Sequence, residues 1–276
     1  MIDWAALLLA FIFGIIVGSF LNVCIWRLPR EESLVEPGSH CPNCDTPLKA
    51  WDLVPLFSFL IQGCKCRYCK QPITWRYFFV ELATGIYFIL VYLKFGLGID
   101  FAAYSLFGAS LIAILFIDLE HFIIPDQLSI FGIVVGIGRD IANIYTGRVK
   151  PFHIPIPGVD YSIPLPQSIA AILVCGGSFL LIAIVSYYIY KKEGIGGGDV
   201  KLAAAIGANL LMGQAALSFF LAAIIGGVIA IYLLINKKKT GQDYVAFGPM
   251  MVIGAFIAMF YGKEIVRWWL GLYGLS

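Results

Sequence analysis

Phe116-Ile117-Asp118-Leu119-Glu120-His121-Phe122-Ile123-Ile124-Pro125-Asp126 closes an apolar run that begins near residue 101. Pro125 has no N–H to offer and biases Ile124 toward extended backbone, so a helix over 101–118 stops here. Asp118 then sits about one to two turns inside the helix end. The run approaches the ~20 residues of a bilayer crossing. A carboxylate at membrane depth is costly and counts by default as a candidate functional group. Glu120 and His121 read as polar neighbours at the interface, and Asp126 as a cap on the following helix.

A second carboxylate has a comparable setting, in Gly196-Gly197-Gly198-Asp199. The glycines from Gly194 to Gly198, with Ile195 between them, predict irregular backbone that lets another segment approach closely. Asp199 opens the next helix, where the macrodipole favours its anionic form. Alone, this motif fits a helix cap equally well. Beside Asp118 it suggests a pair of acids sharing a proton for hydrolysis.

Composition agrees with a membrane setting. Of 276 residues, 60% are hydrophobic and 13% charged, with mean hydropathy +0.88, against about 45–50% and about 25% in soluble domains. The net charge of +2 says little, and no basic stretch interleaved with aromatics points to nucleic acid. The run from Trp4 to Trp26 lacks a basic leading segment and a small-residue cleavage site, so it reads as a retained first span. Eight spans follow, near 4–25, 77–96, 101–118, 127–145, 167–190, 200–212, 214–235 and 246–270. The sixth is short, and Arg139 and Asp140 interrupt the fourth. The expected fold is an all-α polytopic membrane protein of about eight transmembrane helices with a small zinc-stabilised cytoplasmic domain between the first two. Its parts are a first helix over 1–25, the cytoplasmic domain over 26–76 and a transmembrane core over 77–276.

Thirteen Lys and Arg residues fall on one side of this topology and six on the other. Positive residues concentrate in cytoplasmic loops, so both termini are expected outside and 26–76 inside. Asp118 and Asp199 then share the cytoplasmic face, although neither entered the derivation.

The 26–76 segment holds five of the seven cysteines. Cys41-Pro42-Asn43-Cys44 and Cys66-Arg67-Tyr68-Cys69 are C-x2-C pairs 21 residues apart, a spacing that suits a four-thiolate structural zinc site. Cys64 is a spare that could stand in for Cys66. Disulfides are the competing reading, disfavoured in a reducing cytoplasm. A closed metal site would hold together a segment too small for a core of its own. Cys24 and Cys175 lie in apolar runs and read as small buried residues.

Several blocks jointly resemble a known family. They are Gly18-Ser19-Phe20-Leu21-Asn22-Val23 leading to Arg27-Leu28-Pro29; the cysteine pairs; Arg76-Tyr77 through Val80-Glu81-Leu82; Asp118 with Ile124-Pro125-Asp126; Gly196 through Lys201-Leu202; and Phe247-Gly248-Pro249. The chain resembles bacterial type 4 prepilin peptidases, in the Gly-x-Gly-Asp group of membrane aspartyl proteases. The resemblance implies cleavage of the basic leader of type IV prepilins and pseudopilins after a glycine, at the inner membrane. In many members it also implies methylation of the new N-terminal amine by S-adenosylmethionine. The family's catalytic aspartates fall on Asp118 and Asp199, and its glutamate associated with methyl transfer on Glu81, which by itself reads equally as an interfacial charge. A peptidase without methyl transfer, or a proton- or cation-coupled transporter, are the competing readings. The Pro-rich stretch from Tyr145 to Gln167 is expected to be extended, with His153 solvated.

Overall fold

In the computed structural model, residues 3–155, 162–191, 196–235 and 246–272 are described. Their helices are α1 (Trp4–Arg27), α2 (Phe57–Ile61), α3 (Arg76–Phe95), α4 (Ile99–His121), α5 (Asp126–Tyr145), α6 (Gln167–Tyr190), α7 (Gly197–Ile235) and α8 (Gly248–Leu272). Seven of these are long and apolar enough to cross a membrane. Short 3-10 turns occupy Leu28–Arg30 and Ala50–Leu53. The Pro-rich stretch forms an antiparallel hairpin, β1 (Phe152–Pro155) with β2 (Ser162–Leu165), pairing Phe152 with Leu165. His153 is exposed on β1, as expected. The chain divides into two compact units, Met1–Phe116 and Ile117–Ser276.

The predicted sixth and seventh spans emerge as the single helix α7, broken at Leu211, where φ is 61° and ψ 178°. Thirty-nine unbroken residues would extend about 58 Å, nearly twice the ~30 Å hydrocarbon core. The break falls between the predicted sixth and seventh spans, which together count as one of the seven apolar helices.

The charges that interrupt the fourth span are helix caps. Arg139 Nη1 donates to the Asn209 carbonyl at 2.6 Å, an oxygen in the last turn before the α7 break, where a cation suits the helix dipole. Asp140 Oδ2 accepts the Ser168 N–H at 2.7 Å, satisfying one of the free amides at the start of α6. Two costly charges are thus spent on two helix ends, and α5 stays continuous.

With no hydrophobic drive between helices in lipid, close approach depends on small residues. A Cβ on Gly14 would lie 2.7 Å from Gly85 Cα, and one on Gly18 would lie 2.7 Å from Glu81 Cα, so α1 and α3 meet backbone to backbone. Asn22 Nδ2 donates across this seam to Tyr77 O at 3.1 Å. In the second unit a Cβ on Gly136 would lie 2.7 Å from the Ala208 backbone, and Asn209 Nδ2 reaches Gly132 O at 2.8 Å. The cysteines in apolar runs, Cys24 and Cys175, are buried.

Candidate active site and metal centre

Asp118 and Asp199 belong to one compact unit. Asp118 lies three residues before the end of α4, and Asp199 in the first turn of α7. Gly198, the residue before Asp199, abuts Ile124, and so does Gly248, which abuts Asp118. Asp118 is 4% exposed, and its Oδ2 has no hydrogen-bond partner among the described residues. An orphaned buried carboxylate oxygen calls for a proton, a water or a substrate. Asp199 Oδ2 accepts the Gly196 N–H at 3.1 Å, the reach-back of an N3 acid in a capping box. The cap reading of Asp199 therefore holds alongside its proximity to Asp118.

Two glycine-bearing motifs converge on Ile124 here. A Cβ on Gly198 would sit 2.9 Å from Ile124 Cβ, and one on Gly248 would sit 3.1 Å from Ile124 Cδ1 and overlap Asp118 Oδ2. Gly248 was visible in the sequence only as part of Phe247-Gly248-Pro249. Its signal is a glycine just before a proline at a helix start, where Pro fits and a missing Cβ frees space.

Two local expectations need correction. Gly197 and Gly198 are the first residues of α7 rather than irregular backbone; at Gly198 Ile124 leaves no room for a Cβ, whereas Gly197 has open space. Gly194 and Ile195 lie outside the described residues. Asp126 does not cap α5: Pro125 is the N-cap residue, and no side-chain cap bond forms. Asp126 Oδ2 instead accepts Lys201 Nζ at 2.6 Å, joining the first turn of α5 to that of α7. Glu120 and His121 are exposed, with His121 Nε2 3.9 Å from Glu120.

In the first unit, Cys41, Cys44, Cys66 and Cys69 bring their sulfurs within 4.8 Å of one another. Cys41 Sγ and Cys69 Sγ are 3.9 Å apart. Tetrahedral bonds of about 2.3 Å place sulfurs about 3.8 Å apart, so the group fits a metal ion. The knuckles repeat each other. Cys41 N donates to Thr46 O and Cys66 N to Gln71 O, while Asp45 N returns to Cys41 O and Lys70 N to Cys66 O. Asp45 and Lys70 both take positive φ, 51° and 61°. The N–H of Cys69 holds the Cys66 thiol down at about 7, favouring the thiolate a metal requires, while burial raises Cys41 to about 11.

The repeat also resolves Cys64. Leu48 N donates to Ser39 O at 2.9 Å and Ile73 N to Cys64 O at 2.8 Å, so Cys64 is the counterpart of Ser39 and stands outside the sulfur cluster. Asp52, unremarked in the sequence, ties the loop together. Its side chain, 3% exposed, accepts Arg67 Nε at 2.9 Å, Tyr68 Oη at 3.0 Å, Lys49 N at 3.2 Å and Gln62 Nε2 at 3.3 Å.

Glu81 is buried on α3. Its Oε2 accepts the Leu56 N–H at 2.7 Å. Leu56, at φ 62° and ψ −50°, centres a γ-turn in which Phe57 N donates to Pro55 O at 2.7 Å, a rare and strained form. Asn22 Oδ1, one turn along α1 from Gly18, is buried without a partner.

Two family models match the chain: the Bacterial Peptidase A24 N-terminal domain over residues 12–95 and the Type IV leader peptidase family over 105–231. A Legionella pneumophila protein named prepilin leader peptidase/N-methyltransferase is 31% identical across 97% of this chain and 96% of its own. A Neisseria gonorrhoeae protein of the same name is 30% identical across 95% and 94%, and one from Bacillus subtilis 28% across 94% and 96%. No solved structure matches. The first model covers the segment carrying the cysteine knuckles and Glu81, and the second spans Asp118 and Asp199. With apolar helices long enough for a multi-pass membrane protein and relatives aligned almost end to end, this chain belongs to the type IV leader peptidase family.

Proposed function

We propose that this chain cleaves the leader of type IV prepilins and pseudopilins after a glycine, with Asp118 and Asp199 as the catalytic pair, and then methylates the new N-terminal amine. The observation that carries the peptidase reading is the meeting of the two acid-bearing helix ends at Ile124 and Gly248, with one Asp118 oxygen unpartnered among the described residues. Two close carboxylates do not both ionise cheaply, so they hold one proton between them. The ionised member takes a proton from water as it attacks the scissile carbonyl. The protonated member donates to the carbonyl oxygen and later helps protonate the leaving amine. The pair titrates as a unit. The substrate's apolar helix enters from the bilayer, and its basic leader stays at the cytoplasmic face of the inner membrane, the orientation favoured by the distribution of Lys and Arg.

Zinc, held by Cys41, Cys44, Cys66 and Cys69, stabilises the loop structurally. S-adenosylmethionine, when bound, supplies the methyl group. On the chain's side, Glu81 offers a buried carboxylate and Asn22 a carbonyl oxygen unpartnered among the described residues, acceptors suited to orienting the N–H groups of the new N-terminal amine, which must be deprotonated to take the methyl group. The transporter reading finds less support, since the near full-length relatives carry a peptidase and methyltransferase name.

The test is Asp118→Asn and Asp199→Asn, each made singly. Loss of either acid–base partner lowers leader cleavage by about 10²–10⁴-fold, with membrane insertion intact. A purified double variant that still processed prepilin would refute the pair. Mass spectrometry of the mature pilin N-terminus separates a peptidase that methylates from one that does not.

A further inference from the structure

We propose that the segment from Trp51 to Ile61 is a lipid anchor, inserting its apolar side chains into the interfacial layer of the leaflet from which α1 and α3 emerge. This segment joins two spans and would otherwise face water, yet Trp51 is 73% exposed and Ile61 81%, with Phe57 and Leu60 more than half exposed. Contiguous exposed apolar patches on a polar segment mark interaction surfaces.

The geometry of α2 separates two faces. Phe59 turns inward and is buried, its ring 5.2 Å from Trp75 and 5.7 Å from Phe78 at the start of α3. Phe57, Leu60 and Ile61, at i, i+3 and i+4, share the other face. Glu81 fixes the direction in which α2 leaves, because its carboxylate holds the N–H of Leu56 in the strained turn just before the helix.

Lipid is the occupant because the patch continues a surface that already meets lipid. Trp75 and Phe79 are more than half exposed on and beside the first turn of α3, and their rings are 6.0 Å apart. Trp75 touches Phe59 of α2, so apolar surface runs without interruption from the span to the loop. Tryptophans belong at the headgroup level. Exposed Lys49, Lys65 and Arg67 lie on the same loop, where cations suit anionic headgroups.

The experiment uses the full-length protein in nanodiscs of phosphatidylcholine and phosphatidylglycerol. Subtracting the emission of Trp51→Phe from that of the unaltered protein isolates Trp51. Lipids brominated at shallow acyl positions, matching the about 5–10 Å depth of an interfacial face, are expected to remove about half of that emission. Aqueous acrylamide is expected to remove much less. Hydrogen exchange over residues 50–62 gives a second reading that needs no variant, with protection expected in nanodiscs but not in detergent. Trp51 emission quenched by acrylamide and indifferent to brominated lipid would overturn the proposal. So would bromine quenching or exchange protection that arises only when an apolar substrate helix is added, since the patch would then be a substrate dock.

Discussion

Replacing Gly248 with alanine is the sharpest test of the geometry around Asp118. The new Cβ would stand 3.2 Å from Asp118 Cγ, closer still to Oδ2, and 3.1 Å from Ile124 Cδ1, where ordinary contact begins at 3.4 Å. Gly248 opens α8 without a positive φ, so alanine meets no backbone strain and the perturbation is purely one of space. Ile124 is hemmed in by Gly198 on its other side, which leaves the carboxylate as the group that moves, by about 1 Å. A 1 Å misplacement of a catalytic group costs about 10²-fold in rate, which is about 2.7 kcal/mol of barrier. Overpacking also lowers stability, by about 1–3 kcal/mol. Gly177→Ala serves as the control, because nothing lies within 4 Å of its Cβ. It should leave cleavage unchanged and gain up to about 1 kcal/mol in helix propensity. The assay follows leader removal from a purified prepilin by gel shift, with circular dichroism and thermal melting to confirm the fold. If folded Gly248→Ala protein cleaved as fast as the Gly177→Ala control, the assignment of Asp118 and Gly248 to one crowded site would be wrong.

Other expectations concern the loop and the helix starts. Cys66→Ser should lose zinc in elemental analysis of the purified protein, whereas Cys64→Ser should retain it; equal loss in both would put Cys64 in the metal site. Asp52→Ala strands several donors at once, so it should lower loop stability by on the order of 2–3 kcal/mol, read as faster proteolysis between residues 26 and 76, with leader cleavage retained. The Asp126–Lys201 pair is about half exposed, so breaking it should change stability by less than about 1 kcal/mol. If it orients the acid-bearing ends of α4 and α7, Asp126→Lys or Lys201→Asp should lower kcat while KM holds, and the exchanged double variant should recover; failure to recover would reduce the pair to a surface contact.

Helix positions were legible because crossing a bilayer demands length and apolarity, which are written locally. Predicted and observed span ends differ by only a few residues from Trp4 to Leu272, and the paired cysteines could be read from spacing alone. The distribution of Lys and Arg, read with the span ends, put Asp118 and Asp199 on one expected face. The misreadings share one cause. Asp126 looked like a cap until Lys201 appeared, and Arg139 and Asp140 looked like defects until the ends of α7 and α6 claimed them. Gly198 read as irregular because glycine was weighed without Ile124, the neighbour that excludes its Cβ. Asp52 went unnoticed, since four donors arriving from separate positions leave no periodic trace.

Hydropathy, proline placement and thiol spacing determined by themselves that this chain crosses a bilayer repeatedly, carries two acids at span ends and holds a metal-sized cysteine group. Such properties depend on each residue's own neighbourhood along the chain. The tertiary structure decided which partner each polar group finds: Lys201 for Asp126, Gly196 for Asp199, Leu56 for Glu81, Ser168 for Asp140. Those pairings join residues far apart in sequence, except within the Gly-Gly-Gly-Asp turn. In a medium without water, a buried polar group must bond to whatever the fold delivers, and only the packed helices determine what that is.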